Sequence, residues 1–184
     1  MIPSEDEAKG LWDKYSLPEK KRIHVQLVAD VAMFLSDRIM NHESGMTINN
    51  SLLRVGALLH DIDKNIPRLP GEMHPDTGVR ILLLEGYDEV ANLIRFHSVQ
   101  FIENPATAPK RWEEKLLFLS DKMVKQEIIT VDRRFALWLA EEDLPQEQKE
   151  MLRRVYPRVK KLEEEVFTMI GIEPEKVANL LKRP

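Results

Sequence analysis

Apolar positions recur along most of the chain at three-and-four spacing, and long alternating runs are absent, so the pattern predicts helix after helix. A short leading helix is expected over residues 5–15, around Leu11, Trp12 and Tyr15. Ser16-Leu17-Pro18-Glu19 reads as a capping box that opens a helix running to about Met40, with His24, Leu27, Val28, Val31 and Leu35 on one face. Asn49, Asn50 or Ser51 can cap the next helix, where Leu53, Gly56, Ala57 and His60 share a face and the two small residues admit a close neighbour. The prolines and glycine of residues 65–71 predict a loop, expected on the rim of a pocket. Helices follow from Pro75 to near Gly86, from a cap at Asp88 through Val90, Leu93, Ile94 and His97, and from about Arg111 to Ile129 with Leu117, Asp121, Val124 and Ile128 aligned. The remainder predicts a helix around Phe135–Ala140, a charged helix over residues 146–170 kinked or interrupted at Pro157, and a short one over residues 175–181.

At 184 residues the chain suits one domain: a core over about residues 20–134, with C-terminal helices over residues 135–184 assigned to packing or subunit contact. A homodimer is expected from those charged helices. No apolar run approaches the roughly 20 residues that span a membrane, and the acidic start lacks the order of a signal peptide, so a cytoplasmic protein is expected. A net charge of −4 argues against broad binding to nucleic acid. With no cysteine, any metal must be held by nitrogen and oxygen.

Those donors occur in a telling order. His60 and Asp61 stand side by side at the end of the apolar run Leu52–Leu59, where adjacent polar groups are costly unless something binds them. His24 precedes them, and His74, His97 and Asp121 follow, each beside a helix-compatible segment. His42 reads as part of a helix end and is left out of the set, and the cluster Lys20-Lys21-Arg22 and the three tryptophans read as a solvated face and as packing residues.

The order His, His-Asp, His, His, Asp, with the segment His60-Asp61-Ile62-Asp63-Lys64, resembles the HD superfamily of metal-dependent phosphohydrolases and its HDIG-type signature; the likeness covers about Lys20 to Arg134. Within that superfamily the arrangement is similar to the bacterial diadenosine tetraphosphate hydrolase group, with His97-Ser98 where that group would have histidine-threonine. The resemblance implies an all-α HD-domain helical bundle with a C-terminal helical extension. It also implies two divalent transition ions, of iron, manganese, zinc or cobalt: His24, His60, Asp61 and Asp121 would hold one, and Asp61 would bridge to a second held by His74 and His97. The implied reaction is cleavage of a phosphoester or phosphoanhydride bond in a nucleotide or related small phosphate by a metal-activated hydroxide, with Asp61 and Lys64 as the catalytic pair. Lys64, Arg95, Lys125 and Arg133 are candidate phosphate contacts, and Asp63 a support behind the ligands. Competing readings are a nucleotidase, a cyclic nucleotide or dinucleotide phosphodiesterase, and an HD module that binds a nucleotide or partner without turnover.

Overall fold

The computed structural model describes residues 1–43 and 45–182; residues 183 and 184 of the expected C-terminal extension lie outside them. Among the described residues the chain is all-α and carries nine α-helices: α1 (Glu5–Lys14), α2 (Glu19–His42), α3 (Asn50–Leu59), α4 (Asp76–Leu84), α5 (Asp88–Ile94), α6 (Trp112–Lys122), α7 (Val131–Leu139), α8 (Gln146–Ile170) and α9 (Val177–Leu181). Two 3-10 turns, Val99–Glu103 and Pro174–Lys176, complete it; neither stands out in the apolar pattern.

Helix α3 is the hub. Its apolar residues Leu52, Leu53, Val55, Ala57, Leu58 and Leu59 are all buried, and α1, α2, α5 and α6 pack around it. The small residue at its centre matters: a Cβ at Gly56 would stand 2.4 Å from Leu93 Cδ2 of α5. Asn49 caps α3 as expected, its side chain accepting from the Leu52 amide at 3.0 Å. The capping box, by contrast, forms at Ser4 and Glu7 of α1. Ser16 instead adopts a left-handed conformation (φ 51°) after α1, and Pro18 precedes α2 without a side-chain cap.

Four further helices depart from the periodic reading. Helix α6 stops at Lys122, seven residues short of Ile129: the Met123 amide bonds back to Leu119 and Ser120, Val124 pairs with Ile128 across a tight turn, and Ile129 N–H reaches the Met123 carbonyl at 2.8 Å. Branched Val124, Ile128, Ile129 and Thr130 weaken the helix here. Helix α5 ends at Ile94, so His97 stands beyond it rather than on its face. Helix α8 runs unbroken through Pro157, because Leu152 and Val155 before it and Val159, Leu162 and Val166 after it are all buried against the core. Helix α7 begins at Val131, four residues earlier than expected, with the Thr130 hydroxyl accepting from the Arg133 amide.

Candidate metal centre

Four histidines and two aspartates from five separate segments meet at one point. His24 comes from the second turn of α2, His60 and Asp61 from the turn after α3, His74 from the loop before α4, His97 from the turn after α5, and Asp121 from the last turn of α6. His24, His60, Asp61 and His97 are almost wholly buried, and His74 partly so.

Each imidazole is aimed by the nitrogen that faces away from the centre. The terminal carbonyls of a helix lack intrahelical partners, and two of the rings use them: His60 Nδ1 donates to Ala57 O at 2.7 Å and His97 Nδ1 to Ile94 O at 2.6 Å. Trp12 of α1 takes the neighbouring Leu58 carbonyl at 2.9 Å, which closes α3 just ahead of the His-Asp pair. His24 Nδ1 donates to Lys125 O at 3.1 Å, an acceptor that exists because α6 has already ended and turned back. His74 Nδ1 donates to Asp63 Oδ2 at 2.9 Å. Carbonyls and carboxylates only accept, so each of the four rings carries a proton on Nδ1 and turns its Nε2 inward.

Inward, the Nε2 atoms gather on the carboxylates and on one another. His24 Nε2 lies 3.1 Å and His60 Nε2 3.4 Å from Asp121 Oδ1; His74 Nε2 lies 3.4 Å from Asp61 Oδ1 and 3.0 Å from His97 Nε2. His60 Nε2 is buried with no hydrogen-bond partner among the described residues. Burial alone would raise the carboxyl of Asp61, yet His60, Lys64 and Lys21 hold it well below the usual carboxylate range; Asp121 is depressed likewise against burial, by Lys122, His24 and His60. Burial, then His60 and His74, pushes His97 well down, so its ring is neutral near pH 7.

Basic side chains frame the acids. Lys21 Nζ stands 2.9 Å from Asp61 Oδ2 and Lys64 Nζ 3.2 Å from Asp61 Oδ1. Lys122, almost wholly buried, donates to the His97 carbonyl and to Asp121 Oδ2 at 2.7 Å, with its ammonium 4.2 Å from the Phe118 ring centre. Burial lowers its pKa more than Asp121 restores it. The centre forms the floor of a cleft of about 430 Å³, whose far wall carries Arg134 and Trp138 of α7 and Gln148, Met151 and Leu152 of α8.

The family model of the HD domain matches residues 22–148. The chain belongs to the HD-domain family. Comparison with curated proteins and with solved structures returns no match. HD domains bind divalent metals, and the family generally comprises metal-dependent phosphohydrolases.

The residues of this HD domain fit such a group. Two imidazole Nε2 atoms lie 3.1 and 3.4 Å from one carboxylate oxygen in a buried setting, and the Nε2 atoms of His74 and His97 lie 3.0 Å apart, so nitrogen and oxygen donors are gathered where a cation could take them all. Three triads bring one donor atom each to within 4.8 Å of one another: His24, His60 and Asp121; His60, Asp61 and His97; Asp61, Asp63 and His74. Their shared members, His60 and Asp61, join them into one centre.

Not every candidate lies here. Arg95, Lys125 and Arg133 do not line the cleft, and Lys125 and Arg133 are exposed; only the Lys125 backbone touches the centre. No residue of the loop 65–71 lines it either. In their stead stand Lys21, Lys122, Arg134 and Trp138. Lys21 corrects the reading of its cluster as a solvated face, and α7 and α8 do more than pack. One signal for Arg134 was available: with α7 started at its Thr130 cap, Arg134 falls three residues after buried Val131 and four before Trp138, whereas Arg133 falls on the outer face.

Proposed function

We propose that this HD domain is a phosphohydrolase that uses two divalent transition ions to cleave a phosphoester or phosphoanhydride bond of a nucleotide or similar small phosphate. His24, His60, Asp61 and Asp121 hold one ion, and Asp61 with His74 and His97 holds the second. The observation that carries this reading is the set of four imidazoles with every Nδ1 anchored and every Nε2 turned inward, three of them within 3.4 Å of the depressed carboxylates of Asp61 and Asp121. When bound, such ions neutralise phosphoryl oxygens and bring the pKa of water to roughly 7.

The chain's own residues do the rest. Asp63 and the helix-end carbonyls keep the rings in one tautomer and orientation, so ligand geometry needs no rearrangement on binding. Lys21 and Lys64 hold both oxygens of Asp61, and Lys64, partly exposed on the cleft side, can pass one of its remaining protons into a hydrogen bond with a substrate phosphoryl oxygen. Lys122 fixes Asp121 from behind. Leu144, Met151 and Leu152 give the cleft an apolar side that limits water around the reacting phosphate.

The test is hydrolysis of bis-p-nitrophenyl phosphate with manganese supplied. Wild type should turn it over, and Asp121→Asn should lose at least about a hundredfold in kcat/KM, the loss expected when several kcal/mol of charge stabilisation go. A fully metallated wild type without turnover on this ester or on a nucleotide panel would leave an HD module that binds and does not cleave.

A further inference from the structure

Three of the four bases on the cleft are already engaged at its floor: Lys21 and Lys64 with Asp61, and Lys122 with Asp121. Arg134 is not. Among the described residues its side chain has no hydrogen-bond or ion-pair partner, and its Nε is buried without one. A guanidinium is never neutral in a protein, and a buried donor left unsatisfied is costly, so a fixed arginine of this kind is kept for something that comes and goes. It is fixed: its guanidinium carbon lies 4.6 Å from the ring centre of Trp138, one helical turn on, and that ring is braced edge-on by Phe135 at 5.2 Å. The ammonium of Lys122 shares the cleft and feels its charge, and the carboxylates of the cleft, Asp61, Asp121 and Glu141, make no ion pair with it among the described residues. A second orphan, the buried hydroxyl of Ser98, also lines the cleft.

Resting on the phosphohydrolase reading, we infer that Arg134 binds an anionic group of the substrate other than the phosphoryl group seated on the metal floor. The planar fork of arginine suits a phosphate oxygen pair, and its place on α7, across the cleft from the ligands, suits a group one or more bonds away from the reacting phosphorus. The substrate class is then a compound with at least two anionic groups, such as a nucleoside diphosphate or larger, rather than a phosphomonoester or a simple diester. Trp138 acts as the positioning residue that holds the guanidinium flat.

Calorimetric titration of manganese-loaded full-length protein with orthophosphate and with methylenediphosphonate, which resists hydrolysis, tests this. Wild type should prefer the diphosphonate. R134Q should weaken diphosphonate binding by about ten- to a hundredfold, the worth of a charge-assisted contact, and leave orthophosphate nearly unchanged, while R134K recovers part of the loss. Should the glutamine variant fold poorly, R134K decides alone: charge kept without the fork should still weaken the diphosphonate selectively. Unchanged diphosphonate affinity, an equal loss for both anions, or no binding of either by loaded wild type would overturn the inference. Turnover of bis-p-nitrophenyl phosphate and of a nucleotide panel by the same samples separates the two readings, since Arg134-dependent binding without turnover of either sinks the hydrolase and leaves the anion site standing.

Discussion

Asp63 shows how much of the centre depends on residues that do not face it. Buried, and holding His74 Nδ1 with both carboxylate oxygens, at 3.1 and 2.9 Å, it fixes a ring that is otherwise partly exposed on a loop. Removing such a support typically costs ten- to a hundredfold in metal affinity. Asp63→Asn should therefore weaken one of two metal equivalents by about that factor in a chelator competition and leave the other in place; equal affinity for both would show that the loop holds His74 unaided. The ligand-type residues were legible in the chain because histidine and aspartate in apolar helical runs need a reason to be there. Lys122 and Arg134 were not, since a base beside an acid, or one of a pair of arginines, reads as surface until the helix phase is known. Lys122 is buried only because α6 ends at its position and the ammonium finds the His97 carbonyl, a contact 25 residues distant in sequence.

At the level of elements, α1 matters more than its position at the edge suggests, since its Trp12 closes α3 and its Glu5 pairs bidentately with Arg54 of the same helix. Arg54, with Lys9, lowers the Glu5 pKa from 4.5 to about 2. A carboxylate depressed in the folded state contributes stability above its unfolded pKa and loses it as pH falls through the folded value. Glu5→Gln should thus cost up to about 1 kcal/mol at pH 7, a gap to wild type that narrows below pH 4.5 and closes near pH 2 in urea titrations; a gap independent of pH would mean that packing, not charge, joins the helices. At the α3–α5 crossing, Gly56→Val must displace buried Leu93 and should destabilise by about 1–3 kcal/mol, with a neutral result disproving the tight approach. Helix identities followed from periodicity, whereas their ends did not. The pattern carried α6 past Lys122 because Val124 and Ile128 are apolar at the right spacing, yet they pack as a two-sided turn. Pro157 suggested a break that tertiary burial on both sides overrides.

At the scale of the whole molecule, one cleft is lined from both ends of the chain. Helices α2 and α6, the turns after α3 and α5 and the loop before α4 supply the candidate metal-binding floor and α7 and α8 the opposite wall, so the C-terminal third, which carries no histidine, completes the cleft rather than merely extending the bundle. That division of labour was out of reach of the sequence, since the wall is made by Arg134, Trp138 and α8 side chains of ordinary amphipathic character, and packing of α8 against α2, α6, α7 and the 3-10 turn after His97 brings them to the centre. The central claim is that the converging imidazoles and carboxylates exist to hold metal. Plasma mass spectrometry of protein purified without chelator or nickel affinity, beside Asp61→Asn, tests it most directly. About two transition-metal equivalents in wild type, largely lost in the nearly isosteric variant, is the result predicted from a centre bridged by Asp61; persistent absence of metal from wild type, even after reconstitution, would contradict it.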